Sequence, residues 1–422
     1  MFYDVKLRKA IDRLILSRQK PGYWVDSERE APQETMVYKA VDVLNTLLYI
    51  KKYFSQLLGN FKFDGNFIVE EFSNIYDCVK KEGFFPSPYS YSREIFDYMD
   101  FATDCARVSI DVSRLINIDS YGIEKEQRTT IVDQAQEIIK KAFNLIETSA
   151  YRDKNGVRWE GVHDSTRTKP AYPNVYFTSS VVKALAKILD SSIVTLNSNE
   201  NDRCKDLIQL GTEWILGCEK DGIITSDESK TKSEINHSVY AFLGIFDAWK
   251  HLDIYQQVRA KNIFPQVVIQ LDKNIEDRRT QTFMEILLPN AKKPLYYEDP
   301  LSTGDILSVL CRGRDILKGN LKDDRLLLIV INNYARTISE EANAEEGYWP
   351  QNDYFIYYTC RCIIGLIDYE LYGVPIEYSF SESEVLEALD NTLKRPELRN
   401  MFLKELANLQ VKKRIKEFKK EE

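Results

Sequence analysis

Six times along the chain, a stretch with helical periodicity leads through a turn to a hydroxyl residue that opens a second, more apolar run. The hydroxyls recur 56 to 75 residues apart and are Thr35, Thr103, Thr178, Ser238, Thr303 and Thr359. Self-similarity at a near-constant period indicates one supersecondary unit stacked repeatedly. Each unit is long enough for two helices of about 11–12 residues with their connections. The repeat therefore predicts an all-α protein of six helix pairs.

The turn before the second run usually carries a glycine, at Gly22, Gly83, Gly156, Gly222 and Gly347. Glycine takes a left-handed backbone at no steric cost, so it is typical of the position just after a helix. The fifth unit offers Pro294-Leu295-Tyr296-Tyr297 instead. We expect a remodelled turn there.

The second runs are apolar and include small residues six positions after the hydroxyl, namely Ala184, Gly244 and Gly365. Small residues let helices approach closely, which suits an inner ring, whereas the first runs are amphipathic and suit an outer ring. Helical solenoid repeats usually span about 33 to 47 residues, so a longer unit favours a closed barrel. We predict an (α/α)6 toroid over residues 1–375, with a central cavity, and a helical extension over 376–422 that ends in a basic tail.

Composition narrows the choice of partners and compartment. The net charge of −8 argues against nucleic acid as a partner, because binding phosphates needs a basic surface. No apolar run approaches the roughly 20 residues of a membrane-spanning helix, and no signal peptide is evident. Seven scattered cysteines favour reduced thiols. We therefore expect a cytoplasmic protein with no transmembrane segment and, since no ligand motif is found, no cofactor or metal.

The sixth unit carries a local family likeness. Its segment from Asp353 to Leu366 reads Asp-Tyr-Phe-Ile-Tyr-Tyr-Thr-Cys-Arg-Cys-Ile-Ile-Gly-Leu. This resembles the Tyr-His-Thr-Cys-x-Cys-x-x-Gly-Leu segment of protein prenyltransferase β-subunits, and the repeated units resemble the α/α toroids of those proteins and of terpenoid cyclases. The resemblance implies a toroid with an apolar or extended ligand in its cavity, or a protein partner.

The catalytic motifs of that superfamily are missing. The resemblance implies a zinc ion held by Asp, Cys and His, but the His position falls on Tyr358, and residues 296–303 contain no cysteine for the expected Asp-x-Cys pair. The Asp-x-Asp-Asp and Asp-Asp-x-x-Asp motifs of cyclases are also absent. We predict no metal site and no zinc-dependent prenyl transfer.

Candidate site residues lie near the predicted mouth of the cavity. Asp104, His237 and Asp305 could serve as acids or bases, although capping and packing are the commoner roles of such residues. The run Tyr297-Glu298-Asp299 offers a further pair of carboxylates. The candidates for ligand contact are aromatic, with packing as the alternative interpretation; they are Trp24, Trp159, Tyr176, Tyr240, Tyr297, Trp349 and Tyr358.

Three functions remain open. The first hypothesis is a prenyltransferase-like toroid that binds a ligand or a protein and has no catalysis. The second is an unconventional isoprenoid cyclase or transferase, and the third is a carbohydrate-active α/α-barrel enzyme with paired carboxylates. A polar or filled barrel centre would favour the first, a deep aromatic cavity with a buried acid the second, and an open groove with paired acids the third.

Overall fold

The computed structural model describes residues 3–25, 37–83, 85, 97–117, 122–163, 174–192, 196–227, 235–287, 301–317, 324–341, 349 and 355–373. The chain forms two compact units, one of Met1–Val268 with Asp299–Val374 and one of Ile269–Glu298 with Pro375–Glu422. The predicted extension over 376–422, the turn at residues 294–297, Thr35 and Gly347 lie outside the described residues. The helical ring and its cavities belong to the first unit.

Twelve α-helices alternate between two rings in the described residues. The outer helices are α1 (Asp4–Leu16), α3 (Gly65–Glu82), α5 (Lys125–Thr148), α7 (Ser198–Gly217), α9 (Ile254–Leu287) and α11 (Asp324–Glu341). The inner helices are α2 (Val37–Phe54), α4 (Met99–Ile116), α6 (Val175–Leu189), α8 (Ile235–Asp247), α10 (Leu301–Ile316) and α12 (Phe355–Tyr372). Helix α9 runs from the first unit into the second.

The inner helices close into a ring. Each of α2, α4, α6, α8, α10 and α12 contacts the next in that order, and α12 contacts α2. The outer helices pack on the ring, as α5 does on α4 and α7 on α6. This closure confirms the predicted (α/α)6 toroid.

Burial patterns explain which ring each helix joins. Helix α1 buries Leu7, Ala10, Ile11 and Leu14, a spacing that places all four side chains on one face. Each fully buried leucine or isoleucine contributes about 1.5–3 kcal/mol to folding. Inner helices are buried on more sides, because they contact two ring neighbours and an outer helix.

Glycines set the close approach of inner helices. A Cβ on Gly365 of α12 would lie 2.5 Å from the carbonyl oxygen of Gly304 on α10. A Cβ on Gly244 of α8 would lie 2.8 Å from the carbonyl oxygen of Ser179 on α6. Both contacts are shorter than van der Waals packing allows, so only glycine fits. The small residues of the repeat act as predicted at these two positions.

Three of the glycine turns, at Gly22, Gly156 and Gly222, are β-hairpins, which the sequence reasoning missed, whereas Gly83 ends α3 with a φ of 73°. The strands are β1 (Arg18–Lys20), β2 (Tyr23–Trp24), β3 (Asp97–Tyr98), β4 (Tyr151–Asp153), β5 (Gly156–Arg158), β6 (Val162–His163), β7 (Glu219–Lys220) and β8 (Ile223–Ile224). Pairs β1–β2, β4–β5 and β7–β8 are hairpins, and β3 pairs with β6. Asp221 and Gly222, with φ of 54° and 82°, form the turn of β7–β8, as a two-residue hairpin loop with two positive φ angles requires.

Three of the repeated hydroxyls bind backbone N–H groups of the segments that precede their inner helices. Ser238 Oγ accepts a 2.8 Å hydrogen bond from the N–H of Ile224, and Thr178 Oγ1 accepts one of 3.3 Å from the N–H of Trp159. Thr359 Oγ1 accepts a 3.5 Å hydrogen bond from the N–H of Trp349. Each hydroxyl lies inside its helix rather than at its N-cap, and it satisfies a buried backbone donor.

Candidate functional site

The centre of the helical ring holds two adjoining cavities lined by charged and aromatic side chains. The smaller, of about 30 Å³, lies toward the N-terminal ends of the inner helices and is called the N-terminal chamber; it is lined by residues such as Asp100, Asp104, Tyr176 and Tyr240. The larger, of about 330 Å³, lies toward their C-terminal ends and is called the C-terminal chamber. A volume of about 300–1,000 Å³ is usual for a small-molecule site.

Five residues line both chambers and form what we call the waist: Arg107, Lys183, Leu243, Asp305 and Arg361. They come from helices α4, α6, α8, α10 and α12. The ring therefore brings side chains together that are up to about 250 residues apart in sequence, and no local motif connects them.

Asp100 is the best-placed acid of the N-terminal chamber. Its carboxylate accepts hydrogen bonds from Tyr176 Oη at 2.6 Å and from Ser180 Oγ at 3.0 Å, both on the neighbouring helix α6. Burial and the nearby charge of Asp104 raise the pKa of Asp100 to about 6, although the two hydrogen bonds favour the ionised form. A carboxyl group with such a pKa can exchange a proton near neutral pH.

Two further carboxyl groups surround Asp100. Asp104 lies one helical turn along α4 and forms a 2.6 Å ion pair with Arg107. Asp42 on α2 is buried, and its pKa is raised to about 8 by burial, with Asp104 and Asp100 adding to the rise against the effect of Arg361. Asp100 and Asp42 therefore differ in pKa, and carboxyl groups whose environments separate their pKa values are what acid–base chemistry uses.

Aromatic rings form part of the wall of the N-terminal chamber. Tyr176 and Tyr240 meet edge to face with ring centroids 4.7 Å apart. The guanidinium of Arg361 lies 4.8 Å from the centroid of Tyr357. Rings with apolar faces beside polar groups suit a ligand that is itself apolar on one side and hydroxylated on the other.

Ion pairs across helices organise the C-terminal chamber. Arg312 on α10 bridges Asp247 on α8 at 2.8 Å and Asp368 on α12 at 2.9 Å. Burial alone would raise the pKa of Asp247, but Arg312 and Lys183 together lower it. Tyr49 on α2 donates a hydrogen bond to Asp368, and Lys187 pairs with Asp111. These bonds link α2, α8, α10 and α12 in one set and α4 with α6 in another.

Lys183 differs from the other cations of the cavity. Its Nζ lies 3.6 Å from Asp247, longer than a hydrogen bond. Burial, together with the charges of Arg107, Arg312 and Arg361, lowers its pKa to about 7 against the opposing effect of Asp247. The amine therefore exchanges its proton near neutral pH.

Two buried hydroxyls lack partners in the cavity wall. Ser179 lines the N-terminal chamber and Ser308 the C-terminal chamber, each only 2% exposed. Within the described residues, neither Oγ has a hydrogen-bond partner. Ser109, by contrast, bonds back to the carbonyl of Cys105 at 2.7 Å in the manner usual for a helical serine. Each Oγ is sealed within the wall, so it would reach a bound ligand only after rotation about χ1.

The sequence-predicted acids and bases fall in different places. Asp104 and Asp305 line the cavity. His237 lies in the first turn of α8, half-buried, and is not among the residues that line either chamber. Glu298, Asp299 and Tyr297 lie outside the described residues.

Of the aromatic residues predicted to contact a ligand, some line the cavity and others are buried between helices. Tyr176 and Tyr240 line the N-terminal chamber. The three tryptophans are buried among the helices, away from both chambers: Trp159 Nε1 donates to the carbonyl of Ile146 at 2.8 Å, Trp349 Nε1 to that of Ile338 at 2.7 Å, and Trp24 Nε1 to Glu71 at 2.9 Å. Tyr358 is also buried, whereas its neighbour Tyr357 lines the chamber. Their placement favours packing for Trp24, Trp159, Trp349 and Tyr358.

Several residues of the cavity wall were not selected from the sequence, although their spacing in the sequence indicates them. Asp100, Asp104, Arg107 and Asp111 follow one another at spacings of three and four on α4. Such a charged stripe on a helix with twelve buried residues marks a face that meets a polar cavity. The same signal appears in Lys183 with Lys187 on α6, and in Arg361 with Asp368 on α12.

In the part of the chain that the structure describes, no group of three or more His, Cys, Asp or Glu side chains could hold a metal ion. Nor does any described helix have the length and apolar content to cross a membrane.

No protein-family model matches the sequence, and no curated protein matches it. Solved structures do. A cellobiose 2-epimerase from Spirochaeta thermophila matches with a TM-score of 0.55 at 10% identity, over 88% of this chain and 98% of that one. A D-mannose isomerase matches with a TM-score of 0.56 at 9% identity, over 87% and 97%. The GH76 α-mannanase BT2949 of Bacteroides thetaiotaomicron matches with a TM-score of 0.51 at 9% identity, over 87% and 96%.

These neighbours define the class of fold, an α/α toroid of the kind found in sugar-processing enzymes. They do not support membership of the terpenoid cyclase and prenyltransferase superfamily, so the resemblance of the sixth unit extends to the toroid alone. The physical reason is that glycines and hydroxyls of the repeat serve helix packing and hairpin attachment, which any α/α toroid needs.

Proposed function

We propose that this protein is a carbohydrate-active enzyme that binds a sugar in the central cavity and transfers protons with Asp100. The observation that carries the proposal is the buried Asp100 carboxyl group, held by Tyr176 and Ser180 in the chamber wall, with a pKa of about 6. A general acid or base works best when its pKa lies near the working pH.

The second support is the character of the cavity wall. Hydroxyls without partners, tyrosine rings and hydrogen-bonding charged groups are the features that a polyhydroxylated ligand needs. An apolar isoprenoid would leave the charged wall desolvated without compensation, which costs free energy. The wall therefore favours a sugar over an isoprenoid.

The third support is the set of structural neighbours, which are named as an epimerase, an isomerase and a mannanase that act on sugars. At 9–10% identity these likenesses establish the fold, and they make a sugar the substrate class to test first. Asp104, paired with Arg107 one turn from Asp100, is the proposed second carboxylate of the reaction.

The polar barrel centre also fits a binding module without catalysis, the alternative function. The two differ in what Asp100 does, because a binding module needs no proton donor with a pKa near 6. An activity assay therefore separates them.

The test is turnover of a panel of neutral and acidic mono- and disaccharides in D₂O, followed by proton NMR. Epimerisation and isomerisation appear as new sugar signals, often with exchange of a carbon-bound proton, and hydrolysis appears as new reducing ends. We expect Asp100→Asn to lower kcat by about 10²–10⁴-fold, the usual size of a general acid–base contribution. Asp133→Asn, at an exposed position of α5, is the matched control and keeps full activity.

A sugar that binds but is never converted would assign the protein to the binding-module alternative. Conversion that is unchanged in Asp100→Asn would remove Asp100 from the mechanism.

A further inference from the structure

The waist between the two chambers carries an excess of positive charge. Of its five residues, three are cations and one is a carboxylate. Arg107 forms a close ion pair with Asp104, but Arg361 is 3.9 Å from Asp305 and Lys183 is 3.6 Å from Asp247. Both of the last two distances exceed that of an N–H to oxygen hydrogen bond.

Lys183 and Arg361 therefore retain donors that the described protein does not use. Among the described residues, the structure shows no hydrogen bond from Lys183 Nζ, and the Arg361 guanidinium contacts the ring of Tyr357. A buried cation without a short-range partner is costly, and the cost disappears when an anion binds.

Nearby carboxyl groups, including Asp42 and Asp104 beside Arg361, offset this charge only in part. Burial raises the pKa of Asp305, which favours its neutral form against the effect of Arg361. Asp247 is shared with Arg312, which lies closer to it than Lys183 does. The waist thus presents the Arg361 guanidinium and the Lys183 amine, which a bound anion would hold in its charged form, where the two chambers share their lining.

We propose that the waist binds an oxyanion carried by the sugar, so that the substrate is an acidic sugar whose carboxylate or phosphate contacts Lys183 and Arg361. The sugar part of this inference rests on the proposed function, whereas the anion site is argued from the waist residues alone. The guanidinium of Arg361 offers a planar fork for two oxygens, and the ammonium of Lys183 offers a point charge. Ser179 and Ser308 line the chambers on either side, and rotation about χ1 would bring their unpartnered hydroxyls to the sugar.

The experiment is isothermal titration calorimetry of the full chain with D-glucuronate, D-glucose 6-phosphate, D-glucose and inorganic phosphate. We expect one of the acidic sugars to bind at least about tenfold more tightly than glucose, since hydrogen bonds to charged groups contribute about 1.5–3 kcal/mol. The tighter of the two acidic sugars identifies the oxyanion as a carboxylate or a phosphate.

Variants then locate the anion. Lys183→Gln should lower the affinity for the acidic sugar about tenfold or more and leave that for glucose nearly unchanged. Lys183→Arg retains the charge and should stay within about threefold of the unaltered protein. Lys140→Gln is the control, because Lys140 lies at an exposed position of the outer helix α5 and lines neither chamber.

A measurement on the unaltered protein covers the case in which Lys183→Gln does not fold. Inorganic phosphate should compete with the acidic sugar and should not displace glucose. Phosphate that fails to compete contradicts the inference.

The outcomes separate this inference from the proposed function. Equal affinity for glucose and both acidic sugars overturns the acidic substrate and leaves the sugar enzyme intact. Binding of phosphate at the waist without any sugar supports the anion site and counts against the proposed function. No binding of any of the four compounds contradicts both.

Discussion

The phenolic oxygen of Tyr176 on α6 lies 2.6 Å from Asp100 Oδ2 on α4 and donates a hydrogen bond to it. This bond crosses two neighbouring inner helices and fixes the acid that the proposed chemistry depends on. It opposes the effect of burial, because a donor to the carboxylate stabilises the ionised form.

Tyr176→Phe should therefore raise the pKa of Asp100 above its value of about 6. A hydrogen bond to a charged group is equivalent to about one pKa unit or slightly more. The pH–rate profile of the enzyme, or carbon-13 NMR of the Asp100 carboxyl group, measures the shift. Tyr255→Phe on the exposed face of α9 is the control, and a profile that moves equally in both variants would contradict the assignment.

Asp42 should make the folded protein less stable as pH rises. Its pKa is about 8 in the folded protein and near 3.8 in the unfolded chain, so the folded state binds the extra proton between those values. Its contribution is fully present below pH 3.8 and is lost as the pH rises toward 8, at about 1.4 kcal/mol per pH unit. Asp42→Asn cannot titrate, so its free energy of unfolding should vary less with pH in this window.

Urea denaturation at pH 4.5, 6 and 8 checks this prediction, with Asp12→Asn on the exposed face of α1 as the control. Parallel pH dependences for the unaltered protein and Asp42→Asn would show that Asp42 does not take up a proton on folding.

Glu71 on α3 should stabilise the β1–β2 hairpin. It is fully buried and accepts hydrogen bonds from Arg18 Nε at 2.7 Å, Gly22 N at 3.1 Å and Trp24 Nε1 at 2.9 Å. Glu71→Gln removes the buried charge opposite Arg18, leaving only the exposed Glu70 as its acidic partner, and should lower the free energy of unfolding by about 2–4 kcal/mol.

Its neighbour Glu70 offers a matched control, since it binds the same Arg18 at 3.1 Å but is 53% exposed. Glu70→Gln should change the free energy of unfolding by no more than about 1 kcal/mol. Equal losses for the two variants in urea denaturation would contradict the role given to burial.

Gly365→Ala should disturb the contact between α10 and α12. The added Cβ would lie 2.5 Å from the carbonyl oxygen of Gly304, so a backbone must move. We expect a loss of about 1–3 kcal/mol or more in thermal or urea unfolding. Gly217→Ala at the end of α7 meets nothing within 4 Å and should be neutral or stabilising by up to about 1 kcal/mol, and a similar loss there would show that the loss is not due to close packing.

The fold could be predicted from the sequence because the same helix-pair pattern recurs in each unit. Six similar units average out local ambiguity, and Gly244 and Gly365 already indicated a closely packed inner ring. The hairpins were missed because two-residue strands carry little periodicity, although Asp221-Gly222 is a strong turn signal.

The site was only partly predictable. Asp104, Asp305, Tyr176 and Tyr240 were selected and do line the cavity, yet Asp100 and Lys183 were not. They belong to helices whose ring neighbours lie far away in sequence, and only ring closure brings α4, α6 and α12 together. A charged side chain on an apolar helix has a defined role only when its partners across the cavity are known.

The measurement that tests the central claim most directly is a crystal structure of Asp100→Asn soaked with the sugar that the turnover panel identifies. The account predicts density for that sugar in the central cavity, with a hydroxyl within hydrogen-bond distance of residue 100 and further contacts to Ser179 or Ser308. Sugar density at another surface with an empty ring centre, under conditions that saturate binding in solution, would contradict it.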